Sequence, residues 1–264
     1  YVADRENDVV RMVTTAGVVT TFAGNGNWSH DREEGFRTEV GITRPRALAF
    51  DSNGNLYVYE DGRHRISKID TNGNVTHVIG HGDWCDNDGD KNQAKFQHVT
   101  DMAFDSAGNL IVADESAGKV KKITFDPGSG AATLSTIAGT GNWGYVDGAG
   151  VDAEFRAPTG LAIDSNDIIY VADQHNHRIR KILPDGTVST FAGDGWGEQD
   201  GSLSNARFQA PYDIALNSNG DFYVADREGP RIRFIDTSAG VVSTLAGDGG
   251  YGQTDGSFDS ARFK

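Results

Sequence analysis

The chain has 264 residues, 34 of them glycine, a share nearly double the usual ~7%. Lys and Arg number 24 against 38 Asp and Glu, and the formal charge of −14 repels phosphate backbones, which argues against general nucleic-acid binding. No apolar run is long enough to span a membrane, and the single cysteine, Cys85, excludes an internal disulfide framework and a multi-thiolate metal site.

From the N-terminus a tetrapeptide recurs. Tyr1-Val2-Ala3-Asp4 returns as Tyr57-Val58-Tyr59-Glu60, Ile111-Val112-Ala113-Asp114, Tyr170-Val171-Ala172-Asp173 and Tyr223-Val224-Ala225-Asp226, with starts 56, 54, 59 and 53 residues apart. Each copy sits in a longer pattern of a Phe, a Pro, an Ala-apolar-Asp run, a Gly-Asn turn, the tetrapeptide, a basic stretch and Ala-Gly-x-Gly. A five-fold repeat decides the architecture before any local reading does.

The fourth copy, Phe155 to Gly195, is the most regular. Leu161–Asp164 reads as a short strand ended by the turn Ser165-Asn166-Asp167, and Ile168–Ala172 as a second strand stopped by Asp173. Arg178–Ile182 alternates basic and apolar residues, as a half-buried strand does. Pro184-Asp185-Gly186 is a turn in which Pro sets φ and Gly supplies positive φ, and Thr187–Ala192 is a fourth strand. Four strands in about 55 residues, without helical periodicity, describe one blade of a β-propeller. Residues 1–264 are therefore expected to be a single all-β propeller domain of four-stranded blades, with repeats starting near 1, 44, 98, 157 and 210. The first repeat lacks its innermost strand, so the chain is expected to be a processed or trimmed piece of a five- or six-bladed parent.

The run Pro158-Thr159-Gly160-Leu161-Ala162-Ile163-Asp164, Ile168 to Asp173, and Asn176-His177-Arg178-Ile179 closely resembles the NHL repeat, named for an Asn-His-Leu-type triplet at this turn. The resemblance covers essentially the whole chain. It departs where Asn176-His177 becomes Arg63-His64, Gly118 with Lys119, and Gly229-Pro230. It implies a toroidal propeller, commonly six-bladed, whose first strand in each blade lines the axis.

Under that resemblance the residues that vary at the start of the first strand should ring one channel mouth: Arg46, His98, Asp101, Thr159, Tyr212 and Asp213 form the candidate ligand-facing set. The tetrapeptide acids Asp4, Glu60, Asp114, Asp173 and Asp226 recur too regularly for catalysis and are expected to bind turn amides. Third-strand cations such as Arg65, Lys68, Lys119, Lys121, Arg178, Arg180, Arg231 and Arg233 are expected on a solvated face, paired with acids. Trp28, Trp84, Trp143, Trp196 and Tyr251, with Phe36, Phe96, Phe155, Phe208 and Phe263, flank a recurring Asp-Gly or Glu-Gly loop and are expected to plug the gaps between blades.

Two metals come into consideration. Asp83, Asp86, Asp88 and Asp90 alternate along one short loop, an oxygen-rich set that could take calcium, although without the spacing or final Glu of an EF-hand. Related propellers include the peptidylglycine amidating lyase, which holds axial zinc through histidines. Of the seven histidines, which include His30, His64, His77, His81, His175 and His177, only His98 lies on a first strand. No cofactor is otherwise expected. The leading expectation is a non-enzymatic extracellular or cell-surface scaffold that engages protein or glycan. The alternatives are a metal-dependent propeller lyase or hydrolase, and a domain of an extracellular structural polymer.

Overall fold

The computed structural model describes residues 1–27 and 34–263, so Trp28 and His30 lie outside the described residues. The fold is all-β, of the β-propeller class. Among the described residues the helical segments are single 3-10 turns, Arg5–Asn7, Gly150–Asp152 and Gln174–Asn176. Five antiparallel sheets follow the five repeats. The first has three strands, Val2–Asp4, Val9–Val13 and Val19–Ala23. In the others the first strand begins at Pro45, Val99, Pro158 and Pro211, one residue after each expected repeat start. The second sheet runs Pro45–Phe50, Leu56–Glu60, Arg65–Ile69, Asn74–Ile79, and then gains an outer two-residue strand, Gly35–Phe36.

That outer strand explains the recurring acid-Gly pair. Gly35 pairs with Val75, Gly89 with Leu134 and Gly201 with Val242, and Gly148 bridges to Val188. Each acid-Gly loop thus caps the fourth strand of the blade that follows it in sequence, covering an edge that would otherwise invite pairing. The glycine that opens each loop has a backbone reason too. Gly193 sits at φ +109 and Gly247 at φ +103, and a Cβ on Gly247 would lie 2.5 Å from the Pro230 carbonyl.

By contacts the chain forms two compact units, 1–117 with 121–136, and 118–120 with 137–264. The first unit buries Val10, Ile42, Leu56, Val58 and Val75 in one cluster, and Tyr59, Ile66, Phe96, Val99 and Val112 in another. The second buries Ala172, Ile179, Phe208, Phe222, Val224 and Ile235.

Two expectations are corrected. Lys121, Arg180 and Arg233 are 0% exposed and Arg65 4%, so these third-strand cations are not on a solvated face. The loop aromatics divide: Phe96, Phe155 and Phe208 are fully buried plugs, whereas Trp84, Trp143 and Trp196 are about 60% exposed, and Tyr251 likewise stands out. The parallel bridges Trp143 to Phe155 and Trp196 to Phe208 show why, because each loop turns one ring inward and holds the other outward. Phe36 belongs to the outer strand and is exposed, and Ile42, 1% exposed, fills the place that Phe takes in the other repeats.

Candidate functional site

Four of the tetrapeptide acids close a second strand and reach back to the segment that leads into the first, while Asp4 accepts from Asn7 and Arg11. Asp173 accepts the Arg156 amide at 2.7 Å, Asp114 the Gln97 and His98 amides at 3.0 and 2.8 Å, Asp226 those of Gln209 and Ala210, and Glu60 that of Thr43. These four acids therefore bind amides as expected, but the backbone amides they hold lie 16 or 17 residues upstream; Asp173 and Asp4 also accept the side-chain amides of Asn176 and Asn7 in their own turns. Burial pushes the carboxyls of Asp114, Asp173 and Asp226 above the ordinary aspartate value, against the pull of these bonds and of neighbouring cations.

A buried cation joins this acid to the acid-Gly loop. Arg180 reaches Asp173 at 2.9 Å and Asp147 at 2.5 Å; Arg233 reaches Asp200 at 2.7 Å and Asp226 at 3.6 Å. In the first unit Lys121 pairs with Asp86 and, at 2.9 Å, with Asp88. Burial alone would push Lys121 down, but these two carboxylates outweigh it and hold the ammonium above the usual lysine value. In the second repeat Ser67 takes the cation's place, and Arg63 and Arg65 meet Glu60 at 3.0 Å each. Groups that recur are thus spent on holding the blades.

The candidate ligand-facing residues lie where each first strand leaves its ladder. The register shifts between Pro45 and Leu48, Val99 and Asp101, Pro158 and Leu161, and Pro211 and Asp213. Such bulges re-aim side chains. In the first unit Arg46 lies in such a shift and meets His98, which stands one residue before the strand Val99–Phe104 and not on a first strand as expected. Arg46 Nη1 lies 2.7 Å from His98 Nε2; a guanidinium only donates, so Nε2 accepts and Nδ1–H donates to Glu115 Oε2 at 2.9 Å. Asp61 faces the same imidazole at 3.4 Å and is paired with Arg5 at 2.6 Å. Burial pushes the Asp61 carboxyl up, but the charges around it, above all the Arg5 guanidinium bonded to it, outweigh this and hold it below the ordinary value.

Sequence reasoning missed Arg5, Asp61 and Glu115. The signal available was their place: each follows directly on a tetrapeptide acid. Beside them a depression of about 420 Å³ is lined by Arg44, Asp61, His64, Trp84, His98 and Ser116.

The remaining candidates are not brought into this cluster. Asp101 Oδ1 accepts the Met102 amide at 2.8 Å. Thr159 is fully buried and donates to the Ala172 carbonyl, so it faces no ligand, a correction to the candidate set. In the second unit Tyr212 lies under the Arg227 guanidinium, 5.3 Å from ring centroid to carbon, and exposed Asp213 binds the Ile214 amide. Tyr212 also lines a cleft of about 750 Å³ with His175, Arg227, Arg231 and Tyr251.

Neither metal fits. Among the described residues no three His, Cys, Asp or Glu side chains form a group that could hold an ion. Asp83 pairs with Lys95 at 2.7 Å, Asp86 and Asp88 with Lys121, and Asp90 caps the Asn92 amide, so the loop expected to take calcium is held by protein cations and amides. Zinc on His98 would have to displace the Arg46 guanidinium from Nε2 or Glu115 from Nδ1.

With this geometry in hand, the family model of the NHL repeat matches residues 155–182. Protein SUPPRESSOR OF QUENCHING 1, chloroplastic, of Arabidopsis thaliana is 28% identical over 93% of this chain and 24% of its own length. Human NHL repeat-containing protein 2 is 27% identical over 93% of this chain and 38% of its own. The chain thus spans well under half the length of these curated relatives. Their names share no compartment, one being called chloroplastic. An auxiliary nutrient binding protein from Bacteroides thetaiotaomicron superposes with a TM-score of 0.67 at 21% identity, over 90% of this chain and 54% of that one, a likeness of fold. Among the described residues no helix is long and apolar enough to cross a membrane. The match over the fourth repeat and the relatives along 93% of the chain show a β-propeller whose repeats are similar to the NHL repeat.

Proposed function

We propose that the chain is a non-enzymatic binding module that engages a protein or glycan through the turn cluster of its first unit. One contrast carries the reading. The strand-closing acids Asp114, Asp173 and Asp226 and the cations Lys121, Arg180 and Arg233 recur from blade to blade and are buried, whereas Arg46, His98 and Glu115 meet in one repeat only, with 21%, 25% and 24% of their side chains exposed, close to the exposed Trp84. Charged donors and acceptors beside a bare indole suit a partner that offers polar groups along an apolar face. The solved structure of like fold that is named for nutrient binding lends this support. An extracellular or cell-surface setting belongs to the same proposal, and surface labelling of intact source cells would test it.

The direct test is a glycan and peptide array probed with the wild type and with the Arg46→Ala/Trp84→Ala variant. The expected result is a set of wild-type hits that the variant loses while keeping its thermal midpoint. Hits that survive in the variant, or a turnover activity abolished by the same substitutions, would overturn the reading.

A further inference from the structure

One group that recurs in the second unit is not buried. Trp143, Trp196 and Tyr251 hold the same place in three successive repeats, and each is mostly exposed. Their own loops hold them. A parallel bridge joins each ring's residue to Phe155, Phe208 or Phe263. The amide that follows it donates to the carbonyl of that phenylalanine, at 3.4, 3.1 and 3.0 Å. The Tyr251 hydroxyl also donates to the Glu228 carbonyl at 3.1 Å. The backbone beneath the rings is therefore fixed, while most of their surface is left bare.

The three surroundings differ in one respect. The residue before each phenylalanine lies over the glycine that follows the ring. A Cβ on Gly197 would lie 3.0 Å from Arg207 Cδ, and one on Gly252 would lie 3.1 Å from Arg262 Cδ. Both arginines meet an acid placed just before the ring, Asp194 at 3.4 Å and Asp248 at 2.6 Å. About half of the Asp194 and Arg207 side chains lies in water, and an exposed pair of this kind adds little to stability. Beside Trp143 the Glu154 carboxylate takes the spot over Gly144, and Thr140 stands where Asp194 does. That loop carries an acid where the other two carry a cation.

A bare aromatic ring beside a solvated carboxylate and guanidinium has the chemistry that a sugar ring needs. The C–H face of a pyranose stacks on the aromatic surface. One of its hydroxyls donates to the carboxylate, and the neighbouring hydroxyl accepts from the guanidinium. The pair carries no net charge, and the −14 of the whole chain disfavours anionic sugars.

We propose that Trp196 with Asp194 and Arg207, and Tyr251 with Asp248 and Arg262, form two pyranose subsites for a neutral oligosaccharide. They share no residue with the turn cluster of the first unit, so this binding is kept or lost independently of that one.

The test is isothermal titration of the whole chain with the neutral sugars cellohexaose and mannohexaose, and with anionic hexagalacturonate as control. Saturable binding of at least one neutral sugar is expected, tighter than that of hexagalacturonate. Trp196→Ala/Tyr251→Ala should weaken it at least about tenfold, the scale of one charge-assisted hydrogen bond, while keeping the thermal midpoint. Arg207→Leu/Arg262→Leu, which leaves both rings in place, should weaken it to a similar degree. Trp143→Ala should leave it unchanged. Absence of saturable binding of both neutral sugars at millimolar concentration would overturn the proposal. So would hexagalacturonate bound as tightly, binding untouched by the arginine substitutions, or an equal loss in Trp143→Ala.

Discussion

The buried ion pairs between strands and the turn cluster of the first unit use the same side chains for opposite ends. Arg180 and Arg233 are fully buried, each between two aspartates and with added backbone carbonyl acceptors, Glu154 and Val146 for the one, Arg207 and Gln199 for the other. Arg46 is tied to His98 and Glu115 but keeps part of its surface in water. A cation surrounded by acceptors fixes the geometry of a blade, and its recurrence follows from that task. A cation at a strand bulge, matched to neighbours found in one place only, leaves a surface distinct from every other repeat. Repetition marks the scaffold, and its interruption marks the candidate site.

That comparison is open to attack, most strongly at the buried layer. Arg233→Ala strands Asp200 and Asp226 without their cation, and unfolding stability in urea should fall by about 3–5 kcal/mol, the cost of breaking a buried pair. Within one repeat, Phe208→Ala should cost about 3–5 kcal/mol by leaving a cavity, while Trp196→Ala, on the exposed ring of the same loop, should stay within about 0.5 kcal/mol. Comparable losses for the two rings would erase the division between plug and surface.

A subtler contrast concerns pH around Lys121. Asp88 is pushed up by burial, but Lys121 and Thr136 outweigh this and hold it below the ordinary value, whereas burial carries Asp114 above it. The contribution of Asp88 to stability is then complete above the unfolded aspartate value of ~3.9 and is lost as pH falls through its lower folded value. That of Asp114 is complete below ~3.9 and is lost as pH rises through its higher folded value. The stability gap between wild type and Asp88→Asn should therefore widen with rising pH, and that for Asp114→Asn should narrow. Slopes of the same sign in urea titrations across this range would contradict the assignment. A small effect also belongs to the cluster: Arg46→Ala should change stability by no more than about 1 kcal/mol, as part-exposed pairs do.

Much of the blade was legible because it is turn chemistry and alternation. Pro184-Asp185-Gly186 and the Ala-Gly-x-Gly loops punctuate the chain, and the strand Arg178–Ile182 was read with its observed bounds. The burial of Arg180 was not legible, because alternation along one strand cannot tell a solvated face from one covered by a neighbouring loop. The signal lay further off, in the pairing of a recurring third-strand cation with a recurring acid-Gly loop about 33 residues earlier. At the site, Arg46 and His98 stand out as interruptions of the repeat, but their contact joins residues 52 positions apart, one in a strand bulge and the other just before a strand. Thr159 stands at the position of Arg46 in its own repeat yet is fully buried, a difference that the sequence pattern does not carry.

The central claim, that the repeated layer holds the fold while the turn cluster is free to bind, is tested most directly by urea unfolding of Asp173→Ala beside the Arg46→Ala/Trp84→Ala variant. The account predicts a loss of about 3 kcal/mol or more for the first, with its partner Arg180 left short of an acceptor, and about 1 kcal/mol or less for the second. Equal losses, or a larger loss in the cluster variant, would contradict it.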